Sequence, residues 1–264
     1  MLSFASLLLI AMAAIMAVLV SASSRALLRT ERVRAPSRAA SFGVQLVLGL
    51  IIALAAFWLF TEVADNVIDR DKLEQFDALV MVRLSPWRTS TGLAIAKVVS
   101  RFGTSLVMSA LALVVLLVLH RHNWRAVVVG WALVFGGGKL VEALLKHTIH
   151  RARPIGAIQQ LNNPSYSYPS GHAMGAMIGY GALAYLVLLC VHRPAGRAAV
   201  TAAAALVILA IGLSRLVLGV HYFTDVVGGY AAGAVWIALS LAAVEAARAR
   251  FVAGARDDAP RRAA

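Results

Sequence analysis

The chain has 264 residues, of which 61% are hydrophobic and 14% charged, and its mean hydropathy is +0.80. This composition excludes an ordinary soluble domain, in which about half of the residues are apolar. A formal net charge of +13 would suit a nucleic-acid-binding protein. The basic residues, however, are gathered in short segments between long apolar runs, where they orient membrane proteins. We therefore predict a chain embedded in a lipid bilayer, with no nucleic-acid partner.

Seven apolar runs alternate with the charged segments, and each approaches the ~20 residues that a helix needs to cross a bilayer. The predicted spans are 1–24, 39–61, 103–119, 126–146, 173–191, 198–213 and 226–244. They predict an all-α fold, a polytopic bundle of membrane helices. Its parts are an N-terminal transmembrane helix with a basic loop (1–38), a six-helix core (39–247) and a basic tail (248–264).

The positive charges indicate which way the bundle faces. Seven crossings place the Arg-rich segments on one side, which the positive-inside rule makes cytoplasmic; these segments are 25–38, 120–125, 193–197 and 248–262. The other loops then face the periplasmic, outer side of a bacterial-type cytoplasmic (inner) membrane. This count keeps residues 1–24 as an uncleaved anchor, although Ser21-Ala22-Ser23 resembles a signal-peptide cleavage site. The single cysteine, Cys190, lies in a span, which excludes an intrachain disulfide.

Three polar fragments lie on the predicted outer side, where they could form one site. They are Lys146–Pro154 after the fourth span, Pro169–His172 before the fifth, and Ser214–Asp225 between the last two. Together they offer three phosphate-matching cations, two imidazoles and one carboxylate. That inventory fits phosphoryl transfer through a histidine.

His221 and Asp225 are four residues apart, which places them on one face of a helix. Asp225 would accept a proton from one ring nitrogen and leave the lone pair of the other nitrogen free to attack. The alternative is a structural polar pair at the start of a helix. Arg215 nearby and a second imidazole, His172, across the site favour the catalytic interpretation.

The start of the fifth span is suited to an anion. Ser170 is a good N-cap, and the free N–H groups after Gly171 would hold a phosphate while His172 protonates the departing oxygen. The alternative is an ordinary N-cap with an incidental imidazole.

Lys146, Arg153 and Arg215 are predicted to form a cationic clamp, in which Arg gives a bidentate hold and Lys a point charge. Each of them alone could instead contact lipid headgroups at the end of a span. Arg151 either supports this clamp from behind or takes no part in the site, and both interpretations stay open.

Lys139 and Glu142, three residues apart in a span, are predicted to pair with each other, with a proton pathway as the other possibility.

Carboxylates are too few for a metal-dependent phosphatase. Between residues 78 and 244 only Glu142 and Asp225 are acidic, whereas a two-metal site needs several oxygen ligands. We therefore predict no metal ion and no other cofactor.

Asp77 is assigned to an acidic outer loop. Residues 78–102 are predicted to form helices along the interface, which either cap the bundle or guide a lipid tail.

The three fragments resemble the three-part signature of the type 2 phosphatidic acid phosphatase superfamily. The matching pattern is Lys146-x6-Arg153-Pro154, then Pro169-Ser170-Gly171-His172, then Ser214-Arg215-x5-His221-x3-Asp225. The resemblance covers residues 40–247, which would make the six-helix core a membrane phosphatase core. It implies a nucleophilic His221 that forms a phosphohistidine, an orienting Asp225, and His172 as acid and then base. It also implies a metal-independent phosphate site built from Lys146, Arg153, Ser170, the Gly171 amide and Arg215.

The apolar composition resembles the lipid phosphatase and undecaprenyl-diphosphate phosphatase branch, since the haloperoxidases of the superfamily are soluble. The expected activity is removal of phosphate from a membrane lipid, either a polyprenyl diphosphate or a phosphatidyl-type lipid such as phosphatidic acid. Two alternatives stay open: a phosphotransferase that passes the phosphoryl group to a lipid or sugar, and an anionic-lipid transporter. The sequence leaves the individual lipid and the oligomeric state open.

Overall fold

A computed structural model describes residues 54–68, 73–121, 125–154 and 165–258, and throughout these ranges regular structure is helical. The predicted first span, the basic loop after it and the start of the second predicted span lie outside the described residues. The helices are α1 (54–68), α2 (Leu73–Arg83), α3 (Ser90–Arg101), α4 (Ser105–Arg121), α5 (Arg125–Ile149), α6 (Gly171–Cys190), α7 (Pro194–Val217) and α8 (Phe223–Asp258). A short 3-10 turn, Ser85–Trp87, joins α2 to α3. The predicted all-α membrane bundle is confirmed.

Four stretches of the described residues are long and apolar enough to cross a membrane: Ser90–Val118, Gly171–Leu188, Pro194–Val217 and Phe223–Ala243. They correspond to the third, fifth, sixth and seventh predicted spans. The first of them begins well before the predicted residue 103, because α3 runs almost directly into α4. Helix α5, the fourth predicted span, has 25 residues, long enough to cross, but it carries three charged side chains in its second half.

Helix ends follow local chemistry. Ser170 caps α6, its hydroxyl accepting a hydrogen bond from the Ala173 N–H at 3.5 Å. Pro194 occupies the first turn of α7, where a missing N–H costs nothing. After α7, Gly219 adopts φ +70°, a conformation that glycine tolerates best. This turn sends the chain back into α8 and keeps the end of α7 beside the start of α8.

Helix α6 lies at the centre of the bundle and packs on α5, α7 and α8. Its approach to α8 is close: a Cβ at Gly229 would lie 2.8 Å from the Ser170 carbonyl oxygen, so only glycine fits without a shift. Two buried indoles form hydrogen bonds between other pairs of helices, α8 with α5 and α5 with α4. The Trp236 N–H donates to the Val134 carbonyl at 2.7 Å, and the Trp131 N–H donates to the Ala112 carbonyl at 3.0 Å. Rigid helices therefore hold the end of the bundle where the polar fragments lie.

Candidate active site

The three polar fragments meet at one end of the bundle, where α5 and α7 end and α6 and α8 begin. The Ser170 N–H donates to the Asp225 carbonyl at 2.9 Å, which ties the start of α6 to the start of α8. The Arg153 guanidinium donates to the Val220 carbonyl at 2.9 Å, which ties the loop after α5 to the turn before α8. The predicted catalytic and phosphate-binding residues therefore surround one region of the molecule.

His221 is buried, and its two ring nitrogens have different partners. Nδ1 lies 3.3 Å from Oδ2 of Asp225, and Nε2 lies 3.2 Å from Nη1 of Arg153. Since a carboxylate only accepts and a guanidinium only donates, the contacts favour the tautomer with its proton on Nδ1. The Nε2 lone pair then points toward the cationic side of the site, as a nucleophile requires.

Burial lowers the pKa of His221 from 6.5 to about 4. The hydrogen bond and charge of Asp225 work in the opposite direction, while the charges of Arg153 and Arg215 lower the pKa further. The imidazole is therefore neutral from about pH 5 upward, with an unprotonated Nε2 that accepts a hydrogen bond from Arg153 until a substrate takes its place.

This pKa gives a prediction that needs no substrate. In ¹⁵N-histidine NMR spectra of the detergent-solubilised protein, one ring should keep its neutral signals as the pH falls from 7 to 5, and titrate near 4. The His221→Ala variant assigns that ring by its disappearance. A His221 resonance that titrates at 6.5, as in an exposed histidine, would contradict the burial argument.

Asp225 is buried, and its carboxylate is saturated with partners. Besides His221, it accepts hydrogen bonds from the Ser167 hydroxyl, from the Tyr222 N–H at 2.9 Å and from the Arg151 guanidinium at 2.6 Å. A carboxylate with this many donors is held in one orientation. Its position fixes the ring of His221.

Arg151 joins Asp225 to a second buried carboxylate, Asp77 of α2. Nη2 of Arg151 lies 2.7 Å from Oδ2 of Asp77. The Arg151 guanidinium stacks on the Tyr222 ring, 4.4 Å from the ring centre. Burial disfavours the charge of Arg151, but the charges and hydrogen bonds of Asp225 and Asp77 outweigh it and raise the pKa. Of the two interpretations of Arg151, these contacts favour the supporting role.

Asp77 was assigned to an acidic surface loop, and this assignment is wrong. The residue is fully buried and accepts hydrogen bonds from the Thr224 N–H at 3.0 Å and the Thr224 hydroxyl at 2.5 Å. It therefore caps the start of α8 from another helix. A single Asp in an acidic segment carries no local signal for such a role, because its partners lie 74 and 147 residues away.

Arg153 and Arg215 approach His221 from different elements. Arg153 is anchored by the Ser165 carbonyl, which accepts from its Nε at 2.7 Å. Arg215 is buried; its Nη1 donates to the Ser100 hydroxyl at 2.5 Å, and its buried Nε has no partner among the residues that the structure describes. A buried ionised group with a free N–H is expected to bind something, and an anion is the natural candidate.

Ser100 belongs to the segment 78–102, for which a cap or a guide for a lipid tail was expected. Its hydroxyl holds Arg215, and Ala96 of the same helix packs against Val217 and Leu218 at the end of α7. The segment therefore also supports the site through its contacts with Arg215 and the end of α7. No local sequence pattern marks this contact.

His172, Ser170 and Gly171 lie together at the start of α6. His172 is partly buried, its ring 3.2 Å from where a Cβ at Gly103 would stand, and it interacts electrostatically with Arg215 and His221. Both imidazoles thus lie at the same end of the bundle, within reach of Arg215.

Lys146 also lies at the site, but its ammonium is shared. It lies 3.1 Å from Oε1 of Glu142, while Oε2 of Glu142 lies 2.8 Å from Lys139. The predicted Lys139–Glu142 pair is therefore present, and the second pair with Lys146 was missed. The same carboxylate lies against Gly171, where a Cβ would come within 2.1 Å of Oε1.

A cavity of about 700 Å³ opens beside these residues. Its wall is one face of α5 and the loop after it, and its lining residues are Lys139, Glu142, Ala143, Lys146, His147, Arg151, Ala152, Arg153, Ser165 and Tyr166. The cavity meets the histidine site at Arg153. Its volume suits a phosphorylated headgroup, and its mostly apolar wall includes charged side chains.

Comparisons with known proteins place the chain among the PAP2 phosphatases. The PAP2 superfamily model matches residues 132–249. The phosphatidylglycerophosphatase B of Bacillus subtilis (strain 168) is 31% identical over 191 residues, which cover 70% of this chain and 85% of the relative. The crystal structure of a transmembrane PAP2-type phosphatidylglycerolphosphate phosphatase from Bacillus subtilis matches with a TM-score of 0.65 and 26% identity, over 72% of this chain and 94% of that one. The prediction of a membrane enzyme that removes phosphate from lipids is thereby confirmed, and the chain belongs to the PAP2 superfamily.

Proposed function

We propose that this membrane phosphatase hydrolyses the terminal phosphate of phosphatidylglycerophosphate through a phosphohistidine, without a metal ion. The observation that carries the mechanism is the buried His221, with Nδ1 on Asp225 and Nε2 facing Arg153. The relative and the solved structure, both phosphatases of phosphatidylglycerophosphate by name, support the choice of substrate. Phosphatidic acid and polyprenyl diphosphates are the competing substrates.

In the first step Nε2 of His221 attacks the phosphorus atom, and the bond between phosphorus and the lipid oxygen breaks. His172 gives a proton to the departing oxygen, so the lipid leaves as an alcohol. Asp225 holds the imidazole and balances the positive charge that develops on it. The phosphoryl oxygens contact Arg153, Arg215, Lys146, the Ser170 hydroxyl and the Gly171 amide.

In the second step water attacks the phosphohistidine. His172 takes a proton from the water, the bond between phosphorus and nitrogen breaks, and inorganic phosphate leaves with His221 restored. Both steps use only groups that this chain supplies. The site faces the periplasmic side of the inner membrane in this proposal, as the distribution of basic segments predicts.

The carboxylates around the site support a mechanism without metal. Arg151 binds Asp77 and Asp225, and two lysines bind Glu142. Each of these carboxylates is therefore bound to a cation of the protein, with Asp77 and Asp225 sharing one, and is poorly placed to ligate a metal ion. Fixed positive charge takes the place that metal ions have in two-metal phosphatases.

The test is phosphate release by purified enzyme from three lipids, phosphatidylglycerophosphate, phosphatidic acid and undecaprenyl diphosphate, with and without EDTA. We expect the highest kcat/KM for phosphatidylglycerophosphate and no effect of EDTA. Rapid quenching with ³²P-labelled lipid should trap label on His221. Inhibition by EDTA that a divalent ion reverses would contradict the mechanism, and a preference for another lipid would contradict the substrate. Label transferred to an added lipid or sugar alcohol in place of water would identify a phosphotransferase.

A further inference from the structure

Three charged side chains follow one face of α5 next to the histidine site. Lys139, Glu142 and Lys146 are spaced by three and four residues, which stacks them along the helix. Lys146 lies at the end that carries the site, and Lys139 lies two turns, about 10 Å, further into the bundle. We call these three residues the charged ladder.

Glu142 sits between the two lysines and binds both of them, at 2.8 Å and 3.1 Å. The two ammonium groups are therefore bridged by one carboxylate and stand no more than about 8 Å apart. All three residues line the 700 Å³ cavity, which reaches the histidine site at Arg153. An anion in this cavity can contact the ladder while another occupies the histidine site.

Lys139 retains the capacity to bind an anion. Its side chain is 47% exposed, against 15% for Lys146. An ammonium has three N–H donors, and among the residues that the structure describes Lys139 has two acceptors, Glu142 and the Ser105 hydroxyl at 3.3 Å. One donor is left for an oxygen of the substrate.

The surroundings of the cavity change character along the ladder. At the Lys139 end, a cleft of about 20 Å³ continues between α4, α5 and α6. It shares Lys139 and Glu142 with the cavity, and its other lining residues are Met108, Phe135, Gly138, Met174, Gly175 and Ile178. Polarity thus decreases from the histidine site, past Lys139, toward the interior of the bundle, the direction in which a lipid passes from its headgroup to its tails.

Building on the proposed function, we propose that the charged ladder recognises the phosphodiester of phosphatidylglycerophosphate. With the terminal phosphate at His221 and Lys146, the phosphodiester on the tail side of the headgroup glycerol reaches Lys139. The free hydroxyl of that glycerol lies between them and donates to Glu142. The ladder of cation, anion and cation thus matches phosphate, hydroxyl and phosphodiester in order.

Other membrane lipids lack this pattern. Phosphatidic acid carries one phosphate and no phosphodiester, so it leaves Lys139 without a substrate partner. A polyprenyl diphosphate has its two phosphorus atoms two bonds apart, whereas the glycerol bridge separates them by six. Lys139 therefore favours a lipid whose second anionic group is separated from the terminal phosphate by a glycerol bridge.

The test is the Lys139→Met variant, which keeps the length of the side chain and removes its charge. We expect kcat/KM for phosphatidylglycerophosphate to fall by about 10- to 100-fold, the effect of one hydrogen bond to a charged group, and the value for phosphatidic acid to fall much less. Lys139→Arg keeps the charge and should retain most of the preference. Lys97→Met, an exposed lysine of α3, is the matched control and should change neither value.

Soluble compounds test the same contact without a bilayer. Glycerol 1,3-bisphosphate should inhibit the wild type more strongly than glycerol 3-phosphate, and Lys139→Met should remove most of that difference. Inhibition by inorganic phosphate should persist in the variant and shows that the histidine site is intact. Equal losses for both lipids, or no loss for either, would overturn the role of Lys139. A wild-type enzyme that does not cleave phosphatidylglycerophosphate would instead overturn the proposed function.

Discussion

Replacement of His221 by Ala is expected to reduce phosphate release by about 10⁴-fold or more, as when the nucleophile of a catalytic triad is removed. The expectation follows from the proposed covalent step, for which the buried imidazole supplies the attacking atom. His172 lies at the same end of the bundle, but in the proposed mechanism it moves protons and forms no bond to phosphorus. Water would then have to attack the lipid phosphate directly, assisted only by the cations and by proton transfer to His172.

The matched control is His192→Ala, which removes an exposed histidine between α6 and α7, at the opposite end of those helices from the site. It should keep wild-type turnover. Binding of inorganic phosphate distinguishes a loss of catalysis from a loss of folding, because Arg153 and Arg215 remain in place in the variant. The His221→Ala protein should still bind inorganic phosphate when its turnover is lost. More than one hundredth of wild-type turnover would exclude His221 as the nucleophile.

The helical bundle could be predicted from hydropathy, because a membrane span needs a long apolar run whatever it packs against. The start of α6 was also predictable, since Ser170 satisfies free N–H groups of its own helix. The break between α3 and α4 at Phe102–Thr104 coincides with the predicted boundary between the segment 78–102 and the third span. Lys97 and Arg101 mark that boundary, because they interrupt the apolar run just before residue 103.

The residues around His221 could be predicted as a set because their spacing matches a known signature. Their supporting partners could not. Asp77 binds Arg151 and Thr224, and Ser100 binds Arg215, through contacts that span 74 to 147 residues of sequence. No local pattern marks such a pair, because tertiary packing alone brings the two elements together.

Charge alone does not reveal the pairing of two side chains. Asp77 resembles its acidic neighbours in sequence, yet it is buried and paired with an arginine. Lys146, predicted to hold phosphate, also pairs with Glu142. Burial and pairing, which decide what a charge does, depend on the fold rather than on composition.

Arg215→Lys is expected to lower kcat/KM by about 100-fold, although the charge is retained. The guanidinium of Arg215 uses one N–H to bind Ser100, while its buried Nε has no partner in the described part of the chain. It can therefore be oriented by the protein and still present a flat edge to two phosphoryl oxygens. A lysine ammonium is a shorter-reaching point charge that cannot do both, and the lost contact is of the kind that stabilises a transition state.

Two variants distinguish the geometry of this contact from its charge. Arg101→Lys, on the exposed side of α3, is the matched control and should be silent. Ser100→Ala removes the hydroxyl that orients the guanidinium but leaves its phosphate-binding edge, so kcat/KM should fall by a smaller factor, about 10-fold. Inhibition by inorganic phosphate should weaken in the same order, least in Arg101→Lys and most in Arg215→Lys. Turnover of Arg215→Lys within threefold of wild type would remove Arg215 from contact with the phosphoryl group, because a bidentate hold on the transition state is lost whenever arginine is replaced by lysine.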